Sequence, residues 1–217
     1  MVYYDFTAAG IPLLRHSPTQ SLSLHDSTGN SIPVTAKNIF QPRKNLGHIK
    51  GPAGTYKTQA DAILAKAQSI SQAIAQCPVS REAAYVLYQS VYRPAVEYTL
   101  GQSFLNAAQL GTIAKKSLPW IFNKCGYARS TSRALLYGPS DLAGGGFVPL
   151  NAKAGSDYVT HFLKFWRSPH TQCGKLLRIV YSWTQFQSGQ TKAPLQDTST
   201  NMTYINSRFI TKIQTYL

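Results

Sequence analysis

Residues 56–78 read YKTQADAILAKAQSISQAIAQCP. Within this stretch Ile63, Ala67, Ile70 and Ile74 recur at spacings of four, three and four, which places them on one stripe of an α-helix. Pro78 predicts the end of that helix, because the residue before a proline avoids the helical region of backbone space. Upstream the period is different. Leu22 and Leu24 alternate with Ser21, Ser23 and His25, and Ile32 and Val34 alternate with Ser31, Pro33 and Thr35. That period of two is a strand signal. The change of period near residue 56 therefore predicts an α+β, mainly α fold: a small N-terminal antiparallel β-hairpin followed by a helical bundle. The corresponding domain division is 1–55, 56–150 and 151–217.

Between the two alternating runs, Asp26-Ser27-Thr28-Gly29-Asn30 carries turn chemistry. Pro33, which has no amide proton to give a ladder, belongs at an edge. A third short strand is expected over residues 45–49. Downstream of Pro78, Ser80 has the side chain of an N-cap and Glu82 sits where the helix dipole favours an acid. In that helix Leu87 and Val91 line one face, while Tyr85, Tyr88 and Tyr92 fall at i, i+3 and i+7. Pro94 should break or kink it. A further helix is expected over 106–124, with Leu110, Ile113, Ala114, Ser117, Leu118 and Ile121 as its stripe, Pro119 near its end and Gly126 as its stop. Helices are also expected over 152–167, 172–187 and 203–216, with Pro169 between the first two and a polar linker over 188–201.

Acids are scarce: Asp and Glu number 8 against 22 Lys and Arg, for a formal net charge of +14. No two acids fall within four residues of each other, so the sequence offers no local carboxylate pair for metal-assisted or acid–base chemistry. A field of this sign attracts polyanions, and nucleic acid is the expected partner. The cations are not spread evenly. Arg43, Lys44, His48, Lys50 and Lys57 gather around one strand–turn–helix junction, and Lys115, Lys116 and Lys124 lie on the helix over 106–124, followed by Arg129 and Arg133. Lys164, Arg167, Lys175 and Arg178 continue the trend.

Other constellations carry less. Gly51-Pro-Ala-Gly54-Thr-Tyr56-Lys57-Thr58 lacks the glycine that a phosphate-binding loop needs directly before its lysine, so it reads as a turn into a helix. Gly144-Gly145-Gly146 has no dinucleotide spacing and reads as a flexible turn that lets Phe147 tuck inward. The five histidines show no pairing suited to a metal, and no serine stands in a nucleophile elbow. Tyrosines at helical spacing belong to a core more often than to a stacking platform. Cys77, Cys125 and Cys173 are an odd, widely spaced set, which predicts reduced thiols and an intracellular protein. The start of the chain has neither the basic nor the apolar region of a signal peptide, and no apolar run reaches the length of a membrane span.

Taken in order, several pieces resemble reverse transcriptases of non-LTR-type retroelements. Leu46-Gly47-His48 followed by Gly51-Pro52 is similar to the primer-grip segment of that family. Val79-Ser80-Arg81-Glu82-Ala83-Ala84-Tyr85, Tyr92-Arg93-Pro94-Ala95-Val96-Glu97-Tyr98, Cys125-Gly126-Tyr127-Ala128-Arg129, Leu136-Tyr137-Gly138-Pro139 and Gly144-Gly145 resemble its thumb and post-thumb helices. Tyr4-Asp5-Phe6 with Gly10-Ile11-Pro12 resembles the segment just after the catalytic palm.

The resemblance implies a chain that corresponds to the part of the enzyme after catalysis. It implies RNA or DNA primer–template as partner, with Leu46, Gly47 and His48 near the primer strand and Arg43, Lys44, Lys50 and Lys57 on phosphates. The helices from 56 to 124, including Lys115 and Lys116, would clasp the duplex. The family's Phe/Tyr-x-Asp-Asp box is not matched, since Phe6 stands where the second aspartate belongs. No catalytic residue and no cofactor is therefore expected in this chain, and magnesium would serve only a complete polymerase with a separate palm and fingers. Two alternatives stand beside this reading: a basic helical interaction module without a nucleic-acid role, and a non-functional element remnant.

Overall fold

The computed structural model describes residues 4–6, 12–14, 23–33, 42–45, 47–50, 56–196, 202, 205 and 208–217. The fold is α+β and mainly α, with short antiparallel hairpins ahead of a helical bundle. It divides into two compact units, Met1–Thr58 and Gln59–Leu217.

Among the described residues the first unit holds three two-stranded antiparallel pairs: β1 (Tyr4–Phe6) with β2 (Pro12–Leu14), β3 (Ser23–His25) with β4 (Ser31–Pro33), and β5 (Arg43–Asn45) with β6 (His48–Lys50). The β3–β4 hairpin is the one that the alternating leucines and isoleucine predict, and Leu24 faces Ile32 across it. Its turn is closed by Asp26, whose carboxylate accepts from the Thr28 amide at 2.8 Å and the Asn30 amide at 3.0 Å. Gly29, at φ +82°, takes the left-handed position. The Thr28 hydroxyl, donating to the same carboxylate, holds Asp26 below the usual carboxylate range, with the two amides adding to the effect. Leu24 stays 66% exposed, so alternation here marks a strand without burying its apolar side chain.

The single strand expected over 45–49 is instead a second tight hairpin. Gly47, at φ +83°, lies in its turn, and Arg43, Lys44 and Asn45 pair with Lys50, Ile49 and His48. Leu46 and the segment 51–55 lie outside the described residues.

The second unit is helical. Helix α1 (Lys57–Gln76) ends ahead of Pro78 and buries Ile63, Ala67 and Ile74. Helix α2 (Arg81–Leu87) starts at Ser80, whose hydroxyl accepts from the Ala83 amide at 3.2 Å. Pro94 does not break the helix. The chain passes through a π-helical turn, Tyr88–Tyr92, into α3 (Arg93–Glu97), and the Arg93 amide reaches back to the Tyr88 carbonyl. The wider turn gives the proline ring room that a regular turn would deny it. The face that turns inward carries the tyrosines. Tyr88 and Tyr92 are each 1% exposed, whereas Val91 is 44% exposed.

Helix α4 (Ala107–Lys124) begins with a reciprocal capping box between Asn106 and Gln109 and runs through Pro119. It ends in a Schellman turn: Gly126, at φ +91°, donates to the Asn123 carbonyl at 3.0 Å, and Tyr127 donates to the Phe122 carbonyl at 2.9 Å. Helix α5 (Arg133–Tyr137) follows, capped by Ser132. The three glycines after it are a latched loop and not a flexible one. The amides of Gly145, Gly146 and Phe147 donate to the carbonyls of Leu135, Gly138 and Leu136 at 2.7, 2.9 and 3.1 Å. The latch delivers Phe147 inward as the spacing suggests. Its ring meets Phe122 at 4.7 Å, Tyr88 at 4.8 Å, Tyr85 at 5.5 Å and Tyr127 at 5.7 Å between centroids.

Helix α6 (Leu150–Trp166) packs against α4, α7 (Gln172–Ser188) and α8 (Arg208–Tyr216). A Cβ on Gly155 would lie 2.3 Å from the Tyr216 ring, so α8 approaches α6 only because residue 155 is glycine. Of the helix expected over 203–216, the C-terminal part is α8; residues 203, 204, 206 and 207 lie outside the described residues. Among the described residues no helix is long and apolar enough to cross a membrane.

Candidate nucleic-acid interface

The cations singled out by sequence fall into the two units, and each group has its own setting. In the first unit Arg43, Lys44 and Lys50 are exposed on the β5–β6 hairpin, and Lys57 is exposed at the start of α1. Arg43 and Lys50 are direct cross-strand partners. Gly47 is exposed in the turn between the strands. His48 is different. It is 3% exposed, its ring lies 6.4 Å from that of Tyr56, and burial with help from Lys50 pushes the imidazole below its ordinary pKa. The neutral form is favoured, and the ring is packed side chain, not surface. Leu46 is outside the described residues.

In the second unit Lys115 and Lys116 are exposed on α4 and line a cavity of about 400 Å³ together with Arg129 and Arg133. These four cations follow one another along the sequence, two on the helix and two beyond its end, and the turn after α4 brings them together. The Schellman turn at Gly126 reverses the chain, a bond from the Thr131 amide to the Ala128 carbonyl closes the next corner, and Ser132 caps α5 so that Arg133 opens it. Phe122 and Leu136, 5% and 3% exposed, form the apolar floor.

Trp120 completes the wall and is 48% exposed. Lys116 and Trp120 are one helical turn apart on the same face. No Asp or Glu lines this cavity. Glu97 and Asp157 are committed to other cations: Glu97 accepts from Arg93 at 2.8 Å, and Asp157 is paired with Lys153. Among the described residues, Lys115, Lys116, Arg129 and Arg133 have no acidic partner, so the groove presents uncompensated positive charge around an indole. Sequence reading missed Trp120, because one tryptophan in an amphipathic helix carries no periodic signal. The clue available was its place between Lys115-Lys116 and Lys124, with a proline directly before it.

The tyrosines of α2 and the π-helical turn are core. The Tyr88 hydroxyl accepts from the Val148 amide at 3.0 Å, and Tyr92 and Ser117 share a hydrogen bond of 2.6 Å. Burial pushes the Tyr88 hydroxyl up to about 12 and that of Tyr92 upward as well. Cys125 is half-buried, and burial pushes its thiol up to about 11, which makes it a weak nucleophile.

Asp5 lies in β1 opposite Leu13, and neither strand of that hairpin carries a second carboxylate. No group of three His, Cys, Asp or Glu side chains comes together among the described residues. A two-metal polymerase centre needs at least two carboxylates, and the β1–β2 hairpin supplies one. The chain matches no family model, no curated protein and no solved structure.

Proposed function

We propose that this chain binds primer–template nucleic acid in the manner of the thumb and C-terminal part of a non-LTR-type reverse transcriptase, and depends on another polypeptide for the metal-holding acids. The observation that carries the reading is the groove of Lys115, Lys116, Arg129 and Arg133, free of acidic lining and set on a rigid helix and a capped turn. Phosphate contacts of this kind position a nucleic acid without reading its sequence. Arg43, Lys44, Lys50 and Lys57 supply a second set of exposed cations. The ordered resemblance of the thumb-like pieces supports the same reading.

The test is a filter-binding titration of a primer–template duplex at rising salt. With about five phosphates engaged, log K falls against log salt with a slope of about −4. Binding that is absent at about 50 mM salt, or insensitive to salt, ends the reading. Mixing with a separate palm chain and assaying primer extension distinguishes a polymerase subunit from a passive binder.

The interaction-module alternative has one observation in its favour. Leu176, Ile179, Trp183 and Phe186, at spacings of three, four and three, leave α7 with an apolar stripe that is 56–75% exposed. That reading commits to a second copy of this chain on the stripe. Light scattering that gives a dimer, dispersed by Trp183→Lys, in a chain that binds no nucleic acid, would establish it over the first.

A further inference from the structure

The α4 groove is built for more than phosphate. We infer that it takes an unpaired stretch of nucleic acid, with one base stacked on Trp120 and the flanking phosphates held by Lys115, Lys116, Arg129 and Arg133. This rests on the nucleic-acid reading above and deepens it, assigning the groove to the unpaired template that runs beyond the duplex of a primer–template. Four features carry it.

An indole left 48% exposed forgoes burial that the neighbouring core readily gives to Phe122, Leu118 and Ile121, each at most 5% exposed. A flat aromatic face among uncompensated cations is the arrangement that binds single strands, because every base has a π-face and the sugar–phosphate chain tracks the positive charge. About 400 Å³ lies near the lower end of clefts that hold one small ligand, room for one unpaired base and its sugar. Finally, Pro119 has no amide proton, so the Lys115 carbonyl lacks its regular helical donor in the wall of the same cavity. An acceptor so placed suits a base N–H, the N3–H of thymine and uracil included.

Among the described residues, the exposed cations of the hairpin have no half-exposed tryptophan beside them. The division of labour is therefore between a groove for the unpaired strand and open basic surface for paired backbone.

The experiment uses the full chain and fluorescence anisotropy at about 50 mM salt, with labelled oligothymidylate and oligouridylate of about 12 nucleotides and a blunt duplex of the same length. The expected result is tighter binding of a single strand than of the duplex; tighter binding of the uridylate assigns RNA, and of the thymidylate DNA. Trp120→Ala should weaken single-strand binding about 5- to 150-fold, the range that one stacked base contributes, and change duplex binding less than about two-fold. Trp120→Phe, which keeps an aromatic face, should retain most of the affinity and guards against misfolding as the cause.

Equal affinity of wild type for strand and duplex overturns the inference while leaving the nucleic-acid reading standing. So does a Trp120→Ala variant that loses both ligands equally or neither. Failure of the wild type to bind any of the three overturns both.

Discussion

Arg43 and Lys50 stand directly opposite each other across the β5–β6 hairpin, two cations in register on a ladder of three residue pairs. Like charges so placed repel, and the ladder carries no acid to relieve them. A phosphate between them would. Lys50→Glu is expected to stabilise the hairpin by roughly 0.2–1 kcal/mol through a cross-strand attraction, and to weaken nucleic-acid binding at the same time. The triple variant Arg43→Glu, Lys44→Glu, Lys50→Glu should make the salt slope of binding shallower by about 3. A filter-binding series at four salt concentrations measures it. An unchanged slope removes the hairpin from the interface and leaves the α4 groove to carry the function.

Gly144 and Gly111 make opposite predictions from the same substitution. A Cβ on Gly144 would lie 2.3 Å from the Gly138 carbonyl, and that backbone is held by the bond from the Gly146 amide to the Gly138 oxygen at 2.9 Å. The loop cannot shift without releasing Phe147, so Gly144→Ala should cost upwards of about 2 kcal/mol. Gly111 lies inside α4 with open space where its Cβ would go. There Gly111→Ala should stabilise by roughly 0.5–1 kcal/mol, by reducing the freedom of the unfolded chain. Thermal melts of the two variants should move in opposite directions.

Much of this architecture is written locally. The Ile63–Ala67–Ile74 stripe, the Ser80 cap, the stop at Gly126 and the hairpin around Asp26 all depend on residues within a few positions of one another, and short-range periodicity and capping reveal them. What was not legible depends on distance. The π-helical turn before Pro94 resolves a clash by widening a turn, which no residue pattern announces. His48 resembles a surface contact among basic neighbours, yet its burial is a tertiary fact. The basic groove needs α4 and α5 to be brought together by a reversal at Gly126, so that Lys115 and Arg133, 18 positions apart in the chain, line one cavity. Only then does the half-exposed Trp120 acquire meaning.

Tyr92 and Ser117 join the π-helical turn to α4 through a buried hydrogen bond of 2.6 Å. Ser117 also donates to the Ile113 carbonyl at 2.7 Å, which uses its one hydroxyl proton, so Tyr92 must be the donor. The two deletions are therefore unequal. Tyr92→Phe removes the donor and leaves Ser117 still bonded, at an expected cost of about 1 kcal/mol. Ser117→Ala strands a phenol that is 1% exposed and should cost about 1–3 kcal/mol. Urea denaturation of both variants checks the order. The reverse order would mean that the serine proton points to Tyr92.

Tyr88 gives the fold a calculable weakness to base. Burial pushes its hydroxyl from the ordinary 10.0 up to about 12, because the anion would be stranded beside the Phe147 ring. The folded state thus keeps a proton that the unfolded chain has lost throughout this window. The stabilisation is fully present below pH 10 and is lost as pH rises through 12, at about 1.4 kcal/mol per pH unit. Tyr88→Phe lacks the proton and should lack this slope. Between pH 9 and 11.5 the stability of the wild type should therefore fall by roughly 2 kcal/mol more than that of the variant. Urea denaturation of both proteins at half-unit steps from pH 9 to about 11.5 measures the difference directly, and other titrating groups cancel between them. Parallel curves would mean that solvent reaches the Tyr88 hydroxyl and that the aromatic cluster around Phe147 opens well before the helices do.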